Sequence, residues 1–175
     1  NAYCQDNETS WVNWQLSKAQ QEFGDFVVGV LRLRRDHPTF RRRSFFQGRR
    51  IMGSGVKDIL WLKPDGTEMS DEEWNDSFAR CLGMFLPSEG MEERDFQGAR
   101  LRDDSFLLLF NAHYEPVPFT LPQAPGAHEW EVLLDTAQEN VVQAPVRAGA
   151  VYPAKSRSLV LLRPSGAGSG PALAG

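Results

Sequence analysis

The chain has 175 residues, of which 41% are hydrophobic and 24% charged, with a formal net charge of −4. This composition excludes a fully disordered or collagen-like chain, and the length predicts one domain, or one domain and part of another. Two cysteines are too few for a disulfide scaffold, and no apolar run reaches the length of a membrane helix. Because the chain opens on Asn1 without a signal peptide or an initiator Met, we expect a cytoplasmic piece of a longer polypeptide.

The charge is distributed unevenly. Residues 32–50 carry eight arginines and one acid, whereas residues 65–104 carry twelve acids and four arginines. A basic stretch can bind nucleic acid. The negative net charge of the chain and the lack of an RGG-type pattern argue against this. They favour a basic stretch that is solvated or faces the acidic one, so we expect no nucleic-acid partner.

A helix is predicted over residues 18–36. Ser17 and Gln20 fit a capping box, and apolar residues follow at helical spacing. Arginines in the last turn complement the helix dipole, and Pro38 ends the helix because the residue before a proline disfavours helical geometry. The apolar stripe of this helix consists of Phe23, Phe26, Val27, Val30 and Leu31.

Short apolar or alternating segments, separated by Gly and Pro turns, follow residue 56. Six to eight such strands predict an antiparallel β-sandwich over about residues 57–164. The segment at 106–110 is the most hydrophobic and is predicted as a central strand, whereas Pro118 and Pro122 indicate an edge strand. The predicted strands are 59–62, 79–86, 105–111, 117–121, 130–134, 151–153 and 158–163, with a turn at 64–66, a capped helical turn at 70–74 and a flexible tail at 165–175.

Catalytic and metal-binding motifs are not found. The sequence has no phosphate loop, no nucleophile elbow and no paired metal-binding histidines. His37, His113 and His128 are far apart, so we expect surface or structural roles for them. The adjacent acids Asp103 and Asp104 would point to opposite faces on a strand, whereas in a loop such acids are usually solvated. We therefore assign no catalytic residue, no metal ligand and no cofactor.

The first fourteen residues combine aromatic rings with carboxylate and amide side chains. Rings stack on the apolar faces of sugars, while carboxylates and amides hydrogen-bond sugar hydroxyls. The alternative is a polar loop whose two tryptophans pack in the core. The candidates for sugar contact are Tyr3, Asp6, Asn7, Glu8, Trp11 and Trp14.

Dispersed residues give the chain a resemblance that spans about residues 1–165. It resembles bacterial glycogen debranching enzymes of the isoamylase type, members of the alpha-amylase superfamily, from the loop after the eighth barrel strand onward. The residues that carry this resemblance are Asn1–Glu8, Ser10, Trp11, Trp14, Leu31–Arg42 without Leu33, Phe45–Gly48, Asp58–Leu62, Asp65–Met69, Trp74, Asp104–Phe106 and Phe110–His113.

The resemblance implies a (β/α)8 barrel followed by a C-terminal antiparallel β-sandwich. It divides the chain into a barrel remnant at 1–40, a connector at 41–56, the sandwich at 57–164 and a tail at 165–175. The carboxylates with which such enzymes cleave α-1,6 branches lie on earlier barrel strands and match no position here. The chain would then support the barrel and line one edge of the substrate cleft, with glucan contacts from Tyr3, Asp6, Asn7, Glu8 and Trp11.

The implied partners are α-glucans (glycogen, limit dextrins and maltooligosaccharides) and the N-terminal barrel portion of the parent enzyme, with no membrane partner. Without that barrel the apolar stripe would be exposed, and the chain would self-associate or pair with an N-terminal fragment. A second hypothesis is a non-catalytic carbohydrate-binding module that uses exposed aromatics of the sandwich. Its candidates, which core packing would instead bury, are Trp61, Trp74, Trp130 and Tyr114.

Overall fold

A computed structural model describes residues 2–50, 56–76, 79–91, 93–123, 128–138 and 144–165. In these ranges the chain is mainly antiparallel β with one long α-helix. The predicted tail beyond residue 165 and the part of the predicted connector at 51–55 lie outside the described residues.

The helix α1 spans Lys18–Asp36, which confirms the predicted bounds. The amide of Gln20 donates to Ser17 Oγ at 3.4 Å, and the amide of Ser17 donates to Gln20 Oε1 at 2.9 Å, so the capping box is complete. His37 caps the C-terminus, and a 3-10 turn at Pro38–Arg41 redirects the chain.

Within the described ranges, eight strands form two sheets. The larger sheet has six strands in the order β1-β2-β3-β8-β5-β6, the smaller pairs β4 with β7, and every pairing is antiparallel. The prediction that the most hydrophobic segment is central is confirmed, because β3 lies between β2 and β8. The strands are β1 Leu60–Leu62, β2 Cys81–Leu86, β3 Phe106–Asn111, β4 Val117–Thr120, β5 Glu129–Asp135, β6 Val146–Arg147, β7 Val151–Ala154 and β8 Ser158–Ser165.

The main core lies where the two sheets face each other. Trp130 and Leu107 of the larger sheet share one cluster of buried residues with Phe119 and Tyr152 of the smaller sheet. Two sheets that enclose one apolar core agree with the predicted sandwich. In the smaller sheet Pro118 lies opposite Pro153, which is compatible with pairing because each strand has an edge without a neighbour.

A second apolar cluster covers the opposite face of the larger sheet. Phe106 and Leu161, both buried, contribute to this cluster, and Leu33 of α1 and Phe40 of the following turn pack against it. The last turn of α1 is thus packed against the sheet.

The sequence prediction and the structure differ at a few boundaries. The second strand begins at Cys81, two residues later than predicted, and β6 was not predicted because two residues are too few to show a period.

The predicted turn at 64–66 is confirmed, with Gly66 at a φ of +85°. The predicted capped turn is confirmed by reciprocal bonds between Ser70 and Glu73.

Candidate functional site

The predicted sugar-contact residues lie together in one exposed loop at residues 2–16, directly before α1. Tyr3 is 82% exposed, Trp11 64% and Trp14 85%. Neither tryptophan packs in the core of this chain. Asp6, Asn7 and Glu8 are exposed in the same loop; whether any of these residues contacts a glucan stays a prediction.

Hydrogen bonds within the loop give it a defined shape. The backbone carbonyl of Asn7 accepts from the amides of Ser10 at 2.9 Å and Trp11 at 3.0 Å, and its side-chain Oδ1 accepts from the amide of Thr9 at 2.9 Å. The Ser10 hydroxyl donates to the carbonyl of Gln5 at 2.6 Å. Asn7 is therefore the centre of an Asx-type turn, a role that its residue type favours.

Asp6 and Trp11 form a direct side-chain contact. The indole Nε1 of Trp11 donates to Asp6 Oδ1 at 2.9 Å. The Glu8 carboxylate is exposed, and the described residues supply it with no hydrogen bond. The loop thus presents aromatic faces and carboxylate oxygens to solvent, the two kinds of group that bind pyranose rings.

The helix behind this loop exposes the predicted apolar stripe. Phe23 is 67% exposed, Leu31 58% and Phe26 41%, and none of the residues of α1 is buried. An open cleft of about 640 Å³ lies beside the helix, lined by Glu22, Asp25, Phe26 and residues 135–138. The prediction that the stripe is uncovered in this chain is confirmed.

The junction between α1 and the sheet is built around a buried carboxylate. Asp103 Oδ1 lies 2.7 Å from His37 Nδ1 and accepts from the Asp104 amide at 2.8 Å, while its Oδ2 accepts from the Thr39 amide at 2.8 Å. The His37 ring also meets Phe106 edge-on, with centroids 4.8 Å apart. Burial disfavours the charged Asp103, but the hydrogen bonds from His37, Thr39 and Asp104 outweigh it and hold the pKa of that carboxyl below its ordinary value.

Sequence reasoning missed this junction. The Asp103 side chain is 4% exposed, so the expectation that it would be solvated is wrong. Its position in a loop carried no signal of burial, because its partners are 64 and 66 residues away. Of the surface or structural roles expected for His37, its contacts support the structural one.

Among the described residues, His37, Asp103 and Asp104 form the one cluster whose ligand atoms could surround a cation, all within 4.8 Å of one another. Both carboxylates of this cluster already have partners within the protein. Asp104 Oδ2 lies 3.3 Å from Arg163 Nη1, and Arg163 Nε donates to Glu131 at 2.8 Å. Burial disfavours the Arg163 charge, yet the two carboxylates raise the pKa of that guanidinium. The arrangement is an ion-pair network that joins a loop to β8 and β5.

An arginine–glutamate pair also connects the basic and acidic stretches of the sequence. Arg42 Nε donates to Glu93 Oε1 at 3.3 Å, both side chains being at most 10% exposed, and the Arg42 guanidinium lies 4.5 Å from the Phe46 ring centroid. The prediction that the basic stretch faces the acidic one is confirmed at this pair.

Several residues that carry the resemblance have structural roles. The buried Asp58 carboxylate accepts from the amides of Gln47 at 2.8 Å and Gly48 at 2.9 Å. Buried Asn111 donates to the carbonyls of Lys155 at 2.8 Å and Glu115 at 2.9 Å. These bonds tie loops to strand ends, so the resemblance reflects how the domain is held together.

The aromatic residues proposed for a binding module divide into two groups. Trp130 is fully buried and its indole donates to the carbonyl of Pro122 at 3.0 Å, so it cannot form a platform. Trp61 is half-buried and meets the half-exposed Trp74 edge-on, with ring centroids 5.4 Å apart. Tyr114 is 61% exposed and stacks on His113. Two of the four candidates, Trp74 and Tyr114, thus remain accessible.

Fold and site together define an antiparallel β domain of sandwich type that carries a helix and an exposed aromatic loop at its N-terminal side. Residues 58–163 match the family described as isoamylase, C-terminal. The chain belongs to this family.

Comparison with known proteins extends the match to the loop and the helix. The chain is 41% identical to a glycogen operon protein GlgX homolog of Mycobacterium tuberculosis over 165 residues, 93% of this chain and 23% of that protein. It is 29% identical to a glycogen debranching enzyme of Pectobacterium carotovorum over 75% of this chain and 16% of that protein. An isoamylase of Flavobacterium sp. is 24% identical over 93% of this chain and 21% of that protein.

The resemblance to the C-terminal part of glycogen debranching enzymes of the isoamylase type is thus confirmed. The chain spans less than a quarter of the length of these relatives. Within the described ranges, no helix is long and apolar enough to cross a membrane.

Proposed function

We propose that this chain is the C-terminal portion of a glycogen debranching enzyme that hydrolyses α-1,6-glucosidic branch linkages in glycogen or limit dextrins. In this proposal residues 1–40 complete a (β/α)8 barrel and residues 57–164 form the sandwich that supports it. Residues 41–56 connect the two. The membership of the isoamylase C-terminal family and the names of the relatives support the substrate class.

The observation that carries the proposal is the apolar stripe of α1. A helix whose last turn is anchored to a sheet while Phe23 and Leu31 face solvent has a surface suited to packing against another apolar element. The last helix of a barrel packs its apolar face on the barrel strands. We infer that a barrel sheet covers this stripe in the parent enzyme.

The loop before α1 would then lie beside the substrate cleft, since the loops after barrel strands surround the active site. Tyr3 and Trp11 would stack on glucose rings, and Glu8 would accept hydrogen bonds from their hydroxyls. The catalytic carboxylates would come from the barrel, so the chain by itself is proposed to be inactive and to need no cofactor or metal.

A chimera tests this proposal. The chain would replace the matching C-terminal part of the Pectobacterium carotovorum glycogen debranching enzyme, and the release of reducing ends from glycogen limit dextrin would be measured. We expect no release by the 175-residue chain alone and clear release by the chimera. Robust debranching by the isolated chain would contradict the proposed division of labour.

The packing face is tested with a double substitution, Phe23→Ser with Val30→Ser. If the stripe packs on the barrel, the chimera loses activity and thermal stability. Phe96→Ser is the matched control, because Phe96 is 96% exposed in a turn of the sheet domain. Equal behaviour of the double variant and the control would refute the assignment of the stripe as a barrel-packing face.

A further inference from the structure

We propose that Asp6 is a positioning residue: it holds the indole of Trp11 as a flat stacking surface for a glucose ring of an α-glucan. This inference rests on the proposed function, because it assigns separate roles to residues predicted to contact the glucan. In this division Trp11 touches the sugar, Asp6 orients Trp11, and Asn7 shapes the turn that brings the two together.

The first step is the contact between the two side chains. Asp6 Oδ1 accepts from Trp11 Nε1 at 2.9 Å, and this indole donates no second bond because it has a single N–H. A hydrogen bond at the edge of the ring restricts its rotation without using the ring faces. Trp11 remains 64% exposed, so the bond does not bury the ring.

The second step is the turn that places Asp6 opposite Trp11. The Asn7 carbonyl accepts from the amides of Ser10 and Trp11, and its side chain bonds the amide of Thr9. The chain therefore reverses within five residues. The Asn7 side chain is occupied by this turn, since its amide nitrogen also donates to Gln5 Oε1 at 3.0 Å.

The third step is energetic. Binding immobilises an exposed side chain at a cost in conformational entropy, and a side chain held in its bound orientation beforehand loses less. An aromatic ring has few rotatable bonds, and one hydrogen bond to its edge restricts them further. Asp6 would therefore strengthen glucan binding without touching the sugar. The hydrogen bond to the indole needs only an acceptor oxygen, which the neutral side-chain amide of asparagine also supplies.

The test uses the chimera described under the proposed function, because its barrel completes the cleft. The chimera is labelled with 5-fluorotryptophan and observed by ¹⁹F NMR while maltoheptaose, a linear glucan without an α-1,6 branch, is added. Trp11→Phe in the chimera identifies the resonance of Trp11. We expect Asp6→Ala to shift and narrow the Trp11 resonance and to raise the Kd for maltoheptaose about fivefold or more. Asp6→Asn, which keeps an acceptor oxygen, is expected to stay within about twofold of the original chimera. Glu72→Ala is the control, because it removes another exposed carboxylate from the turn before β2.

The outcomes separate the two proposals. An unchanged Trp11 resonance in Asp6→Ala would overturn the positioning role, whatever the glucan affinity. An Asp6→Asn variant as weak as Asp6→Ala would overturn it too, because the charge would then contact the sugar directly. In a third outcome, Asp6→Ala shifts the resonance but excess maltoheptaose leaves the Trp11 resonance of the original chimera unchanged. That outcome would overturn the glucan surface assigned to this loop under the proposed function, and with it the stacking role of Trp11.

Discussion

Replacement of Asp103 by alanine tests how the helix is joined to the sheet. The substitution removes the acceptor of three donors, namely the His37 ring and the amides of Thr39 and Asp104. Each buried donor left unsatisfied costs about 1–3 kcal/mol. These costs overlap, and the His37 side chain is 17% exposed and can turn toward water. We therefore expect a loss of about 3 kcal/mol.

Urea unfolding at pH 7 measures this loss directly, and calorimetry provides a second measurement. For a chain of this length, 3 kcal/mol corresponds to a fall in Tm of about 6–12 °C. Asp104→Ala is the matched control, because its partner Arg163 is 32% exposed and such a pair contributes about 0–1 kcal/mol. A loss at Asp103 no larger than at Asp104 would refute the view that the buried carboxylate joins α1 to the sheet.

The same carboxyl predicts a pH dependence. The pKa of Asp103 is lower in the folded chain than its ordinary value near 3.8, so the folded state favours the charged form. The stabilisation is complete above the ordinary pKa and is lost as the pH falls through the lower, folded value. The difference in unfolding free energy between the original chain and Asp103→Ala should shrink as the pH falls below about 4. A difference that grows in that range would contradict this sign.

Three further predictions concern other parts of the chain. Asn111→Leu should cost about 2–4 kcal/mol in urea unfolding, because the carbonyls of Glu115 and Lys155 lose their donor; a loss below about 1 kcal/mol would show that water replaces it. Gly66→Ala should cost more than about 1–2 kcal/mol in the same assay, since Gly66 has a φ of +85° and an added Cβ would lie 2.8 Å from the Thr120 carbonyl oxygen; a neutral effect would mean that the turn can rearrange. The isolated chain should self-associate through the stripe of α1, and light scattering should show a shift toward monomer in the Phe23→Ser, Val30→Ser variant and not in Phe96→Ser; a monodisperse original chain would count against this.

Local features of the structure could be predicted from the sequence because they depend on neighbouring residues. The bounds of α1 follow from Ser17 and Pro38, which act within a few residues of the helix ends. The strands were predicted nearly in place because their apolar residues alternate over short windows, as at Trp130 and Val132. The apolar stripe itself was expected for the same reason, since the helical period defines one face. Its exposure was expected from the resemblance, which places the barrel outside this chain.

Contacts between distant segments could not be predicted in this way. The division of the strands into sheets of six and two depends on register and on which apolar faces meet, and Val146–Arg147 is recognisable as a strand only beside Glu129 and Trp130. In the N-terminal loop the composition indicated sugar contact at Asp6 and Asn7, whereas their hydrogen bonds depend on how the turn closes.

The sequence by itself therefore determined the helix and its ends, the β character of residues 57–164 and the family. The tertiary structure alone decided which side chains are buried together, such as Asp103 with His37 or Asp58 with Gln47. The physical reason is that propensity, capping and periodicity act over a few residues. The burial of a carboxylate is instead decided by donors that the fold brings from more than sixty positions away.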